Sequence, residues 1–444
     1  MKKSGFTLIE LLAVIAILAV ILVISIPKIL DVIETSKINT LKNTVKLIAD
    51  SAEKKYTENE AFGEENEITC DSVSKLNKED YSKCSIVFDE NGIAKVSILG
   101  KGKFKGLKVI EATKTNAEVK EITKPTYGMK ATEYINGLYE YYGDSYNLKI
   151  DNTKDQNIRY YGSDPNNYVS FNNELWRIIG VFEDNVKLVR KDNLGWLSWD
   201  SSDLTINRGY GINQWGESID EDGNEYAGAD LQIYLNKMYY GGDTTLSCYD
   251  GPKNSIKVCP KDSKDNFLKL DETAKSLIDN YKWNINSIEL DMKSNTLLFY
   301  SAERGTSSGK NCAGSGYCND TIIRTTEWTG YIALPYVTDY AYASSESICE
   351  TNMRTEDSSN AYICKNNNWM HYGSTWSDST WYLSPNASAS SAARAWHVYG
   401  IGFVSCFSPS NAYAVFPAIY LKSNVIIESG TGTNTDPYIL KAGV

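Results

Sequence analysis

Histidine is almost missing from this chain. His371 and His397 are the only two in 444 residues. No Cys-x-x-Cys pair occurs, so the usual zinc spacings are excluded. His-Glu-x-x-His and the phosphate-binding Gly-x-x-x-x-Gly-Lys-Ser/Thr are both absent. A Ser or Cys nucleophile with a histidine base would have to use His371 or His397. His397 lies between Trp396 and Val398 in an apparent strand and reads as a packed histidine; Cys406, nine residues on, offers a Cys-His pair as the weaker reading. Asp220-Glu-Asp222-Gly-Asn224-Glu225 has calcium-type oxygen ligands, but its glycine falls at the fourth position rather than the sixth, so it reads as an acidic turn. The expectation is a protein that is not an enzyme, with no metal and no cofactor.

Basic residues are also in short supply. Lys and Arg total 45 against 56 Asp and Glu, for a formal charge of −11. A broadly nucleic-acid-binding surface needs clustered cations, so no direct nucleic-acid contact is expected. Lys101 to Lys108 is the one local basic run, and it reads as a solvated hairpin edge.

What the chain does have begins at its N-terminus. Met1-Lys-Lys-Ser-Gly5 precedes a run from Phe6 to Ile26 whose single charge is Glu10. As a helix this run spans about 30 Å, the thickness of a bilayer's hydrocarbon core. No Ala-x-Ala cleavage pattern follows it; the chain continues into Pro27-Lys28-Ile29-Leu30. A carboxylate one turn inside such a run calls for a cationic partner.

Lys2-Lys3-Ser4-Gly5 followed by Phe6-Thr7-Leu8-Ile9-Glu10 resembles the class III leader of type IV prepilins and pseudopilins, over Met1 to about Thr57. The resemblance implies cleavage by a prepilin peptidase between Gly5 and Phe6, and N-methylation of Phe6. It implies that Glu10 meets the amino-terminal charge of a neighbouring subunit during assembly. Loss of Lys2 and Lys3 with the leader takes the formal charge from −11 to −13.

Ile38, Leu41, Val45, Ile48 and Ala52 step by three and four, so the helix is predicted to continue on one apolar face to about residue 57. Pro27 removes a backbone donor and is expected to kink or loosen it. Asn91-Gly92 between Ser85–Phe88 and Ala94–Ile98 predicts a hairpin. The expected organisation is a leader at 1–5, a helix at 6–57 with a transmembrane part at 6–26, and a small antiparallel sheet at 58–124. A β-rich surface domain should occupy 125–444. The fold class is α+β: a long N-terminal transmembrane and amphipathic helix with a small pilin-like sheet, then a larger β-rich α+β domain.

Beyond Lys124-Pro125 the chain becomes aromatic, with most of its 31 Tyr and 10 Trp. Helices are expected at Ala131–Tyr142, Ala229–Tyr240 and Asp271–Trp283, and a three-strand meander across Tyr168–Arg190. Trp381-Tyr-Leu-Ser-Pro385, Ala395–Gly400, Ala412–Pro417 and Ala418–Lys422 together resemble an uncharacterised domain of Gram-positive surface proteins. That domain is distantly like the C-type-lectin and formylglycine-generating-enzyme fold, and the resemblance covers Tyr160 to Leu440.

Eight of nine cysteines form sequence-local couples: Cys70 with Cys84, Cys248 with Cys259, Cys312 with Cys318 and Cys349 with Cys364. In an exported chain these read as disulfides, with connectivity open. Cys406 is left over, buried or a free thiol.

The sequence therefore predicts a type IV pilin-like filament subunit, minor or tip-displayed, with an extracellular head for adhesion or recognition. Its partners would be prepilin peptidase, other pilin subunits, the cytoplasmic membrane before assembly, and an unknown extracellular ligand of the head. It would pass once through the cytoplasmic membrane and then reach the cell surface in a filament. A pseudopilin of a secretion or competence system is the alternative; a membrane-anchored surface enzyme is a third reading.

Overall fold

The computed structural model describes residues 8–63, 68–74, 77–201, 214–219, 225–288, 295–305, 325–353, 362–386 and 394–443. The chain divides into two compact units at Lys124 and Pro125.

The first unit is built on one helix, α1 (Leu8–Phe62). Its 55 residues make it about 80 Å long at the usual rise per residue. The helix runs through Pro27 without a break. Its two halves differ in what covers them. Leu41, Val45, Ile48, Ala49 and Ala52 are wholly buried, which is the face their spacing predicts. They pack on a four-stranded antiparallel sheet of β1 (Tyr81–Phe88), β2 (Ala94–Gly100), β3 (Leu107–Ala112) and β4 (Val119–Glu121), in sequential order. Ala94, Val96 and Ile98 alternate inward along β2, joined in the core by Phe104, Leu107 and Val109. Each of the larger side chains among them (Val, Leu, Ile and Phe) contributes about 1.5–3 kcal/mol by leaving water.

The β1–β2 turn forms as its sequence predicts. Asp89 Oδ1 accepts the Asn91 and Ile93 amides, and Gly92 takes φ 74°, a region glycine enters without strain. Outside the sheet, Cys70 opens a short helix, α2 (Cys70–Val73), capped by reciprocal bonds between Thr69 and Ser72. The Cys70–Cys84 disulfide ties α2 to β1.

Among the described residues, no helix is long and apolar enough to cross a membrane. The expected transmembrane stretch at 6–26 is thus not met by the described residues. Met1–Thr7 lie outside them altogether, as do the side chains of Ile9–Leu11 and Val20–Ile24.

The second unit opens with α3 (Ala131–Tyr142), which buries Tyr134, Ile135, Leu138 and Tyr139. Its main sheet has nine strands, among them β5 (Leu148–Ile150), β6 (Ile158–Tyr160), β7 (Tyr168–Phe171), β8 (Glu174–Phe182) and β9 (Asn185–Arg190). Strands β7, β8 and β9 make the antiparallel meander that alternation predicts, turning at Asn172 and Asn173, both with φ 56°, and at Glu183. Strand Ala418–Tyr420 pairs with β9, and Tyr438–Ala442 runs parallel to β7. A five-stranded sheet holds Trp196–Ser198, Ala412–Ala414, Thr380–Pro385, Ala395–Val398 and Val404–Phe407. Every residue of the helix Val337–Ala343 is buried.

Two expected helices differ. Ala229–Tyr240 is helical only from Asp230, and it widens to i→i+5 bonding over Tyr234–Tyr240. The Asn236 side chain there bonds the backbone at Tyr331 and Ile332, a tertiary demand that helix periodicity does not carry. The helix expected over Asp271–Trp283 stops at Leu277. Ile278 is extended, and Tyr281–Asn284 becomes a strand paired with Glu327–Gly330. Trp283 Nε1 donates to Gly330 O at 3.0 Å, so sheet pairing outweighs local helix preference.

Candidate functional site

Two regions carry functional geometry, one in each unit. The first is the N-terminal half of α1. Leu8, Leu12, Ile15, Ile17, Leu18, Ile29, Leu30 and Val32 are all exposed, between 52% and 78%. An apolar surface of this extent on a monomer marks an interaction site. Past Ser36 the same helix turns amphipathic, and its apolar stripe is covered by β2 and β3.

Gly5 and Phe6, the expected cleavage and methylation sites, lie outside the described residues. Glu10 is part of α1, and its side chain lies outside the described residues. Residues 1–26 match the prokaryotic N-terminal methylation motif. This leader is type IV pilin-like, and it supports a pilin-like or pseudopilin-like precursor. It implies processing by a prepilin peptidase and assembly with other pilins. No curated protein matches the chain, and no solved structure does. The resemblance read across Tyr160–Leu440 therefore finds no support.

The expected cysteine couples come together where they are described. Cys70–Cys84, Cys248–Cys259 and Cys349–Cys364 are disulfides. Cys312 and Cys318 lie outside the described residues, and so do 220–224 of the acidic run. Among the described residues no group of His, Cys, Asp and Glu is arranged to hold a metal ion. Cys406 is buried and free of a disulfide, and burial pushes its thiol up.

A Cys-His pair is not formed. Cys406 lies directly opposite Trp396 across the sheet, so it shares that residue's face. His397, one residue along, faces the other side. There it is boxed by Trp381, Tyr399, Phe407 and Tyr413, with both ring nitrogens unpartnered. Burial drives its pKa from 6.5 to about 3, so it stays neutral.

The second region is a cavity of about 200 Å³ in the aromatic unit, lined by Arg177, Trp369, His371, Tyr372, Tyr382 and Phe416 among others. Strand β8 places Arg177 there. Its guanidinium lies 4.0 Å from the Tyr168 ring centroid and 4.8 Å from that of Trp369. Arg177 Nε donates to Asn167 Oδ1 at 2.7 Å, and Nη2 donates to Asp164 Oδ1 and Pro165 O. Trp369 is fixed by its Nε1 bond to Tyr160 O at 3.0 Å. Tyr372 accepts from Asn193 and meets the Phe416 ring edge-on. His371 lies 3.4 Å from the Tyr340 hydroxyl, and burial lowers its pKa. The result is a concave aromatic wall beside the held guanidinium of Arg177, with Arg190 and Lys191 also on the lining. Sequence reading missed this site. Its signals are an arginine inside the apolar strand Leu175–Phe182 and the dense run Trp369-Met-His-Tyr372.

Proposed function

We propose that this protein is a type IV pilin-like subunit, minor or tip-displayed, whose enlarged head performs adhesion or recognition and no enzymatic reaction. The observation that carries the reading is the N-terminal methylation motif at the head of a helix whose described large apolar side chains before Ser36 are uncovered. After cleavage before Phe6 that stretch of the helix packs among the helices of neighbouring subunits, which hide the apolar surface from water. Before assembly the same stretch resides in the cytoplasmic membrane. Glu10 offsets the new amino-terminal charge of a neighbour, since a carboxylate in an apolar filament core is tolerated when a cation meets it. The second unit is displayed outward, and the aromatic cavity around Arg177 is its recognition site. Planar cations and aromatic rings together favour small polar ligands with a flat or apolar face.

The deciding experiment is the N-terminal mass of the protein from cells with and without prepilin peptidase. A chain beginning at methylated Phe6 only when the peptidase is present is the expected result. A chain beginning at Met1 in both would remove the filament role. A pseudopilin of a secretion or competence system is distinguished by whether the protein is recovered in extended surface filaments.

A further inference from the structure

The interior of the second unit holds an unusual number of charges. Asp151, Arg159, Lys187, Glu303 and Asp339 are all buried to 2% exposure or less, and Arg304 lies beside them. Arg159 Nε donates to Asp151 Oδ2 at 2.6 Å, and its Nη1 donates to Asp339 Oδ1 at 2.7 Å. Lys187 Nζ donates to Asp339 Oδ2 at 2.7 Å. Arg304 donates to Glu303 at 2.9 Å, and the Thr338 hydroxyl and amide also donate to Glu303. Around the lysine nitrogen stand the rings of Tyr336, Trp283, Tyr420 and Phe182, with centroids 4.1 to 5.6 Å away.

We propose that Lys187 and Asp339 condense into an intramolecular amide that cross-links β9 to the helix Val337–Ala343. Three features of the site support the step. First, the reacting groups are held in hydrogen-bond contact by a rigid, dry interior, which supplies the proximity a condensation needs. Second, Arg159 donates to one carboxyl oxygen, where negative charge grows when nitrogen attacks Cγ, and the Tyr336 amide donates to Oδ2 at 3.0 Å. Third, a buried ion pair carries a desolvation penalty on both partners. Amide formation removes one positive and one negative charge together. Arg159 stays matched to Asp151 and Arg304 to Glu303, so the interior remains balanced.

The step is self-contained. The Lys187 ammonium passes one proton to Oδ2 along their hydrogen bond. The freed nitrogen lone pair attacks Asp339 Cγ and forms the C–N bond. A second nitrogen proton goes to the departing hydroxyl, the C–O bond breaks and water leaves. One hydrogen remains on the amide nitrogen, and Arg159 keeps its bond to the remaining oxygen. Burial pushes the Lys187 ammonium down, to about 8, while against the same burial the Lys187 and Arg159 charges hold the Asp339 carboxyl below its usual range, so the proton transfer is the uphill part of the step. The inference stands independently of the filament reading.

The test is the mass of the full-length protein, reduced and denatured, followed by a tryptic map. The expected result is a chain lighter than its composition by one water, with one branched peptide joining the Lys187 and Asp339 segments and no cleavage after Lys187. Lys187→Arg should return the full mass and separate the two peptides. Wild-type protein at full mass, with Lys187 and Asp339 in separate linear peptides, would overturn the proposal. So would a branched peptide that persists in Lys187→Arg. The wild-type map decides the matter even where the variant fails to fold.

Discussion

Leu30 and Leu41 lie about three turns apart on one helix, yet Leu30 is 59% exposed and Leu41 is wholly buried. The difference comes from β2 and β3, which cover the helix only beyond Ser36. Leu41→Ala removes core atoms and leaves a cavity, so it should destabilise the first unit by about 2–5 kcal/mol. Leu30→Ala should change the stability of the isolated subunit by less than about 0.5 kcal/mol. Hydrogen exchange of the β2 amides reports on both. Equal protection loss in the two variants would mean that Leu30 has a covering partner within the subunit.

Glu10→Ala should leave cleavage and the fold of both units intact while lowering incorporation into filaments. An apolar filament core gives a buried amino terminus no other compensating charge at that level of the helix. Glu10→Gln keeps the shape and should fail in the same way. Quantifying the subunit in sheared filaments against the cell-bound pool measures the effect. Unchanged incorporation of both variants would sink the proposed assembly role.

Most elements of the fold were legible where the sequence pattern is local. The stripe from Ile38 to Ala52, the Asn91-Gly92 turn and the meander through Asn172-Asn173 each rest on contacts between near neighbours, and each forms. The misread cases depend on distant partners. Tyr281–Asn284 becomes a strand because Glu327–Gly330 arrives to pair with it, and the Asp230–Tyr240 helix widens where Asn236 clamps residues 331 and 332. The cavity was hidden for the same reason. Arg177, Trp369 and Phe416 are joined only by the fold, and nothing in their spacing announces it.

His397 gives the second unit a pH dependence whose sign is fixed by its burial. Its pKa falls from 6.5 in the unfolded chain to about 3 in the fold. Between those values the unfolded chain binds the extra proton, so stability is full above 6.5 and declines as pH falls. Well inside that window the slope approaches about 1.4 kcal/mol per pH unit from this group alone. Chemical denaturation between pH 7 and pH 5, above the ordinary carboxylate range, reads it together with His371, whose pKa burial also lowers. His397→Leu should reduce the slope there, and His371→Leu in the same background should reduce it further. A slope unchanged by His397→Leu assigns the effect to other groups.

The cysteines supply the last expectation. Cys70–Cys84 joins positions 14 apart and Cys349–Cys364 positions 15 apart, so each restricts the unfolded chain by about 3 kcal/mol in the loop-entropy account. Peptide mapping without reduction should find both bridges, together with Cys248–Cys259 and, by its spacing, Cys312–Cys318. Paired Cys70→Ser and Cys84→Ser should lower the stability of the first unit by that amount and leave the second unchanged, since the bridge spans only α2 and β1. Cys406 should resist alkylation in the native protein, because it is buried and its thiol is held in the protonated form. In denaturant it should react at once. Rapid labelling of Cys406 in the native state would mean that the sheet carrying Ala395–Val398 and Val404–Phe407 opens locally, which its buried packing beside Trp396 argues against.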